Sequence, residues 1–381
     1  MNRRIGHFIE SLNPGGAEQV LLDLCIQNKQ HGDIPLILHF NQPFFIQRAA
    51  ELGIMQIPIP EDIYRTFKST KTLPIFAYKF RQFLKQHNID LLHSHLFGPI
   101  TGAALACFKL IPHIGTLHDI YMIEDKVSRI HLIQIAVILN TQLVTVSEHM
   151  ENFYRNRAKL NHQQLRTIYN GIDPAPQTND RINQPDPHEE LRKELNIGQK
   201  HITLIATGRL VELKCLAVLI QAIHLLSPKM LTYLKVIVVG EGPEEGALKN
   251  LIETLHLGDT ITLTGYRKDI PQLLSISDIF VQCSRTEGLS CSILEAIAAP
   301  LPCVVTDVGG NSELVEDAVN GYLVPVNDAR MLATRIAQLI DNKDLRKRFS
   351  LEALRRCQKY FLKEPNYLKY HELYDDLTVP H

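Results

Sequence analysis

Three runs combine glycines with charged side chains in a way that could hold an anionic ligand. In Gly208-Arg209-Leu210-Val211-Glu212-Leu213-Lys214 two cations follow directly on an apolar run of β type. A guanidinium and an ammonium placed there suit a diphosphate, because they neutralise the charge that builds up as it departs. In Ser284-Arg285-Thr286-Glu287-Gly288-Leu289-Ser290-Cys291-Ser292-Ile293-Leu294-Glu295-Ala296, Glu287 falls in a loop and Glu295 well inside the helix that follows. The helical rise separates the two carboxylates by roughly 7–8 Å along the axis. That is too far to share a proton, so they would grip different parts of one ligand. A carboxylate accepting two hydrogen bonds suits a sugar or ribose diol. In Ser11-Leu12-Asn13-Pro14-Gly15-Gly16-Ala17-Glu18, Gly15 and Gly16 sit where a strand turns into a helix, and backbone N–H groups there could cradle a phosphate. Taken singly, each run also reads as an ordinary turn or a solvated charged loop.

These runs need strand ends to hold them. Ile5–Ile9, Ile34–Phe40, Leu91–His95, His113–Leu117, Leu143–Ser147 and Arg166–Tyr169 read as strands. Helical stretches such as Ala17–Lys29, Ile75–His87 and Val127–Leu139 lie between them. This is the βαβ rhythm of a parallel sheet. From Asp173 to Glu189 the chain is rich in proline and poor in apolar residues, a linker composition. The rhythm then restarts with Ile202–Thr207, Leu234–Val239, Ile261–Thr264, Ile279–Cys283, Pro302–Thr306 and Tyr322–Val324, and three helices follow Asp328. The expected fold is therefore α/β with two Rossmann-like domains, spanning 1–172 and 173–361. A final helix at about 363–377 is expected to return to the first domain, motivated by its amphipathic Tyr367, Leu368, Leu373 and Tyr374. Open parallel sheets bind ligands beyond the carboxyl ends of their strands, so two such domains imply a cleft.

At 381 residues the chain is long enough for two cores. With 40 basic and 41 acidic residues its net charge is −1, which leaves no global field to gather nucleic acid. Seven scattered cysteines show no zinc spacing and read as reduced thiols. The amino-terminal run is broken by His7 and Glu10 and does not read as a signal peptide. No apolar stretch is long enough to span a bilayer. The expected location is cytoplasmic.

Eight motifs carry a resemblance along nearly the whole chain. They are Gly-Gly-Ala-Glu at 15–18, Gly-Thr-Leu-His-Asp at 115–119, Val-Ser-Glu at 146–148, Tyr-Asn-Gly-Ile-Asp at 169–173, Gly-Arg-Leu-Val-Glu-Leu-Lys at 208–214, Gly-Glu-Gly-Pro at 240–243, Glu-Gly-Leu-Ser at 287–290 through Glu295, and Thr-Asp-Val-Gly-Gly-Asn at 306–311. In this order they resemble the retaining, nucleotide-sugar-dependent glycosyltransferases of family 4, also called glycosyl transferases group 1. The resemblance implies a GT-B fold, with two Rossmann-like domains whose parallel sheets face each other across a cleft. It implies that Arg209 and Lys214 bind the donor diphosphate, with Gly15 and Gly16 approaching it from the first domain. Glu295 would hold the ribose hydroxyls, and Glu287 those of the transferred sugar, beside Gly288 and the backbone N–H groups of Leu289 and Ser290. His118 would sit by sugar and acceptor, making His118, Glu287, Arg209 and Lys214 the catalytic set. The donor would be of UDP or GDP type, and the acceptor a glycan or a lipid-linked sugar in bacterial cell-envelope polysaccharide or lipopolysaccharide synthesis. No Asp-x-Asp occurs, so no metal or other cofactor is expected.

Two positions depart from the family pattern. Cys215 and Pro300 stand where glycine is usual, and both restrict the backbone of the donor loops. A non-catalytic sugar-binding or scaffolding protein on the same fold is one alternative. A nicotinamide oxidoreductase is another, because Gly240-Glu241-Gly242-Pro243-Glu244-Glu245-Gly246 comes near the dinucleotide fingerprint. Its glutamates would repel a pyrophosphate and its proline removes a donor. Finally, Arg65, Lys68, Lys71, Lys79, Arg81 and Lys85 fall in a stretch, 63–89, that has no acidic residue. Phe76, Phe80, Phe83 and Leu84 have helical spacing toward a core, which leaves most of these cations outward. Such a face could meet an anionic membrane as a peripheral contact, or be merely solvated.

Overall fold

The computed structural model describes residues 2–10, 15–121, 123, 126–174 and 188–378. Most of the expected linker, 175–187, and Ser11, Leu12, Asn13 and Pro14 lie outside the described residues. The chain divides into two compact units, residues 1–171 with 363–381, and residues 172–362.

The first unit is built on seven parallel strands: β1 (Arg4–Ile9), β2 (Ile34–His39), β3 (Met55–Pro58), β4 (Leu91–His95), β5 (His113–Leu117), β6 (Thr141–Thr145) and β7 (Leu165–Thr167). Their order in the sheet is β3-β2-β1-β4-β5-β6-β7, which reverses direction between β1 and β4. Phe8 faces a core with Leu36, Leu38, Phe76 and Phe80, whereas Ile9 faces another with Leu21, Cys25, Ile37 and Phe45. Strand alternation thus divides β1 between two apolar layers. Phe76, Phe80, Phe83 and Leu84 are buried on the helix Leu73–Gln86, as their spacing requires. β3 is the strand that the sequence pattern does not reveal. It is a four-residue edge strand with partly exposed side chains, and no apolar run announces it.

The α-helix Lys363–Thr378 belongs to this unit and packs on the α-helix Gly16–Gln30. Tyr367, Tyr370 and Tyr374 are buried there. Arg3 holds the packing in place, pairing with Asp33 at 2.7 Å and with Asp375 on the final helix. β6 starts and stops two residues earlier than the alternation suggests. Ser147 is therefore not a strand residue but the N-cap of the helix Glu148–Ala158, accepting from Met150 N–H.

The second unit has six parallel strands, β8 (Ile202–Thr207), β9 (Leu234–Val239), β10 (Ile261–Leu263), β11 (Ile279–Gln282), β12 (Cys303–Thr306) and β13 (Gly321–Val324). Their order is β10-β9-β8-β11-β12-β13, and it reverses between β8 and β11. Leu219, Ile223, Leu332, Ile336 and Phe349 from the flanking helices close the core over Val236, Val238 and Val281. Both sheets are thus doubly wound α/β layers of Rossmann type. All seven cysteines are free thiols. Among the described residues no helix is long and apolar enough to cross a membrane.

Candidate active site

In the second unit the reversal point between β8 and β11 is where two loops can splay apart and admit a ligand. The loop after β8 carries Gly208 and Arg209 and closes with a 3-10 turn, Glu212–Lys214. The loop after β11 carries Glu287 and leads into the α-helix Cys291–Ala298. The Arg285 N–H donates to the Leu213 carbonyl at 2.8 Å, which staples the two loops together. Lys214 Nζ then lies 2.5 Å from Glu287 Oε1, with both side chains mostly buried. Gly208, Arg209, Lys214 and Gln282 line one small cavity. Thr207 Oγ1 and Ser284 Oγ, at the ends of the same two strands, are buried and have no hydrogen-bond partner among the described residues. Buried hydroxyls normally find a partner, so two unpartnered ones are an uncommon feature of these strand ends.

Close backbone packing explains the glycines. A Cβ on Gly240 would stand 1.9 Å from the Gly208 carbonyl oxygen, and one on Gly242 would stand 2.2 Å from that of Leu210. Gly240-Glu241-Gly242 is therefore the floor under the Arg209 loop, not a dinucleotide cradle, and the oxidoreductase alternative loses the motif on which it rested. Gly309, at φ +54°, would place a Cβ 1.8 Å from the Glu287 carbonyl oxygen. Cys215 has φ +49°, a left-handed conformation that costs a side-chain-bearing residue energy and suits the glycine usual there.

Ser290 is the N-cap of the helix Cys291–Ala298, accepting from Ile293 N–H. The backbone N–H groups of Leu289 and Ser290 make no hydrogen bond to a protein acceptor among the described residues. They point to a helix start that could take an anion. Gly288 is used differently, its carbonyl accepting from Gly310 N–H at 2.9 Å. Glu295 lies half-buried one turn into the same helix. Sequence reasoning missed Gln282. This buried strand residue donates to Ser290 Oγ at 2.7 Å and to Ser292 Oγ at 3.1 Å, and accepts from Asn311. Its only sequence signal is an amide at the end of an otherwise apolar strand.

In the first unit, Gly15 is the N-cap and Gly16 the first residue of the helix Gly16–Gln30. The Gly15 N–H is committed to the buried Glu18 carboxylate at 2.6 Å. His118 follows β5, and its Nε2 lies 3.2 Å from His95 Nδ1. Desolvation pushes the His118 pKa down to about 4 and that of His7 to about 3, so both rings are neutral near pH 7. Nitrogens of His7, His93 and His95 lie within 4.8 Å of one another, a grouping that could in principle hold a metal ion. Their ring nitrogens already meet Asn28, Tyr374, Thr116, His118 and one another. Histidines at 7, 93 and 95 alternate inward on adjacent strands, a polar signal in apolar runs that the motifs do not include.

In the basic stretch Arg65, Lys68, Lys71 and Lys85 are exposed, as expected, while Lys79 and Arg81 are partly buried. Lys79 pairs with Asp62 at 2.6 Å and Arg65 with Glu61, the two acidic residues just before it. Arg81 turns inward and donates to the carbonyls of Ala106 and Phe108, capping the helix Phe97–Cys107. Lys68 lies over the Tyr64 ring. Only Lys71 and Lys85 remain exposed without such engagement among the described residues.

A family model described as Glycosyltransferase Family 4 matches residues 14–176, and one described as Glycosyl transferases group 1 matches residues 187–356. The N-acetyl-alpha-D-glucosaminyl L-malate synthase of Bacillus anthracis is 27% identical over 309 residues, covering 79% of this chain and 78% of its own. The Escherichia coli UDP-Gal:alpha-D-GlcNAc-diphosphoundecaprenol alpha-1,3-galactosyltransferase is 27% identical over 295 residues, covering 73% and 72%. Among solved structures, Anabaena HepE in complex with UDP superposes with a TM-score of 0.82 at 22% identity, covering 98% of this chain and all of that one. A Rickettsia africae glycosyltransferase gives 0.85 at 21% identity over the whole of both chains. These two likenesses show the shared fold.

Proposed function

The chain belongs to the family-4 glycosyltransferases with the GT-B fold, and from that premise we propose that it moves a sugar from a UDP- or GDP-type donor to a glycan or lipid-linked acceptor with retention of anomeric configuration. The proposed setting is bacterial cell-envelope polysaccharide or lipopolysaccharide synthesis. The name of the Escherichia coli relative, whose acceptor is a diphosphoundecaprenol-linked sugar, supports this. One observation carries the donor assignment. Arg209 and Lys214 line one cavity at the β8/β11 reversal, beside Glu287 and the unpartnered hydroxyls of Thr207 and Ser284.

The chemistry proposed there is electrostatic. As the sugar–phosphate bond breaks, charge accumulates on the departing diphosphate, and Arg209 and Lys214 neutralise it with help from the Leu289 and Ser290 N–H groups. Glu287 orients Lys214 and accepts from sugar hydroxyls, and Glu295 accepts from the ribose. His118 is read as the first domain's contact with sugar and acceptor. Because the chain supplies two cations of its own, turnover is proposed to need no metal.

The acceptor is proposed to be reached at the cytoplasmic face of a membrane. Lys71 and Lys85, with the exposed Ile75 and Tyr78 on the helix Leu73–Gln86, support peripheral contact there. Cosedimentation with anionic and neutral liposomes checks this contact.

The purified chain incubated with a panel of nucleotide sugars and diphosphoundecaprenol-linked acceptors should release nucleoside diphosphate in the presence of EDTA and give a product of retained configuration by NMR. Thermal stabilisation by a nucleotide sugar without any release would favour the non-catalytic sugar-binding alternative. Absence of both would reject the reading.

A further inference from the structure

Two buried imidazoles, His7 and His95, run in file to end at the partly buried His118. Asn28 Nδ2 is 2.8 Å from His7 Nε2, His7 Nδ1 is 3.3 Å from His95 Nε2, and His95 Nδ1 is 3.2 Å from His118 Nε2. The His7 and His95 rings are near-parallel with centroids 5.6 Å apart, and those of His95 and His118 are 5.5 Å apart. Strand register causes this alignment. His7 pairs with His93 and His95 with Thr116, so these side chains share one face of the sheet, and His118 continues that face beyond β5.

We infer that His7 and His95, anchored by Asn28, are positioning residues that hold His118 as its Nδ1–H tautomer. A neutral imidazole has one donor and one acceptor, so fixing one bond in such a file fixes all of them. Asn28 donates to His7 Nε2, which places the His7 proton on Nδ1. That proton is given to His95 Nε2, which leaves the His95 proton on Nδ1 and directs it to His118 Nε2. The remaining proton of His118 is then on Nδ1, available to an oxygen of the ligand.

A side branch lies beside the file. The Tyr374 hydroxyl is 2.8 Å from His93 Nδ1, and in the same inference donates to it. His93 Nε2–H then donates to Thr116 Oγ1 at 2.7 Å.

This inference rests on reading His118 as a group that touches the substrate, and the test separates the two. In the full chain with histidine-selective ¹⁵N labelling, long-range ¹H–¹⁵N correlation at pH 7.5 should report His7, His95 and His118 as Nδ1–H and His93 as Nε2–H. Any other pattern at His7, His95 or His118 overturns the relay whether or not the enzyme is active. His95→Leu should mix the His118 tautomers and lower kcat about tenfold, with the donor KM nearly unchanged. His95→Gln can accept from His7 and donate to His118, and should restore most of kcat. If His118→Ala abolishes turnover while His95→Leu leaves both kcat and the His118 tautomer unchanged, the relay is wrong and the site reading stands. If His118→Ala turns over normally, the substrate role of His118 is wrong, and the tautomer pattern alone decides the relay.

Discussion

Lys214 and Glu287 are 73 residues apart in the chain, yet their side chains meet at 2.5 Å where the strand order of the second sheet reverses. A cation proposed to meet a diphosphate is thereby held by a carboxylate proposed to meet a sugar. Each positions the other before any donor arrives. Lys214→Ala or Arg209→Ala is expected to lower turnover about 10²-fold, the usual effect of losing one donor to the developing charge. Because Lys214 and Glu287 are in contact, Lys214→Ala with Glu287→Gln should be non-additive by about 1 kcal/mol or more in kcat/KM. Nucleoside diphosphate release measures both effects, and full additivity would show that the pair does not act as a unit.

Gly309 gives a backbone counterpart. Its φ is +54°, and a methyl group added there would stand 1.8 Å from the Glu287 carbonyl oxygen, which leaves no room for alanine. Gly309→Ala should displace the Glu287 loop and cost about 2 kcal/mol or more in stability. Urea unfolding and the donor KM should both worsen. An unchanged midpoint would mean that the loop adapts freely.

Cys215 tests the same idea in reverse. With φ at +49° it occupies a glycine-type conformation with a side chain attached. Cys215→Gly and Cys215→Ala remove the same thiol, so their difference isolates the backbone contribution. The glycine variant should be the more stable by about 1 kcal/mol. Equal urea midpoints would exclude strain at this position.

Acid should destabilise the first unit early. Desolvation holds His7 and His113 at about 3 and His118 at about 4 in the folded chain, against about 6.5 when unfolded. Their lowered values favour the neutral native form. The contribution is complete above pH 6.5 and is lost as pH falls from 6.5 toward 4, because the unfolded chain takes up protons that the native chain refuses. Each group contributes a slope of about 1.4 kcal/mol per pH unit. Urea midpoints should hold between pH 7.5 and 6.5 and drop steeply between pH 6.5 and 4.5, and a flat profile over that lower range would contradict the burial of these rings.

Much of this molecule was legible in the amino-acid sequence, since strand runs, turn glycines and charged loop residues are local in origin. Every strand except β3 announces itself by an apolar or β-branched run, and the order of motifs identifies the family. The edge strand Met55–Pro58 stayed hidden because pairing with β2, not its own composition, makes it a strand. Arg209, Lys214, Glu287 and Glu295 could be named from spacing and family pattern, but their mutual distances could not, because they depend on β8 lying beside β11. The partners of the basic stretch were hidden for the same reason. Its own residues carry no acid, and only the fold returns Lys79 to Asp62 and Arg81 to the carbonyl end of a neighbouring helix. His7 and His95 belong to no motif, and strand register with the packing of one helix is what lines them up with Asn28 and His118. Sequence by itself therefore determined which groups are present and which local backbone each prefers. Tertiary structure decided which of them touch, because contacts between residues far apart in the chain arise from sheet order and side-chain burial, which no local run encodes.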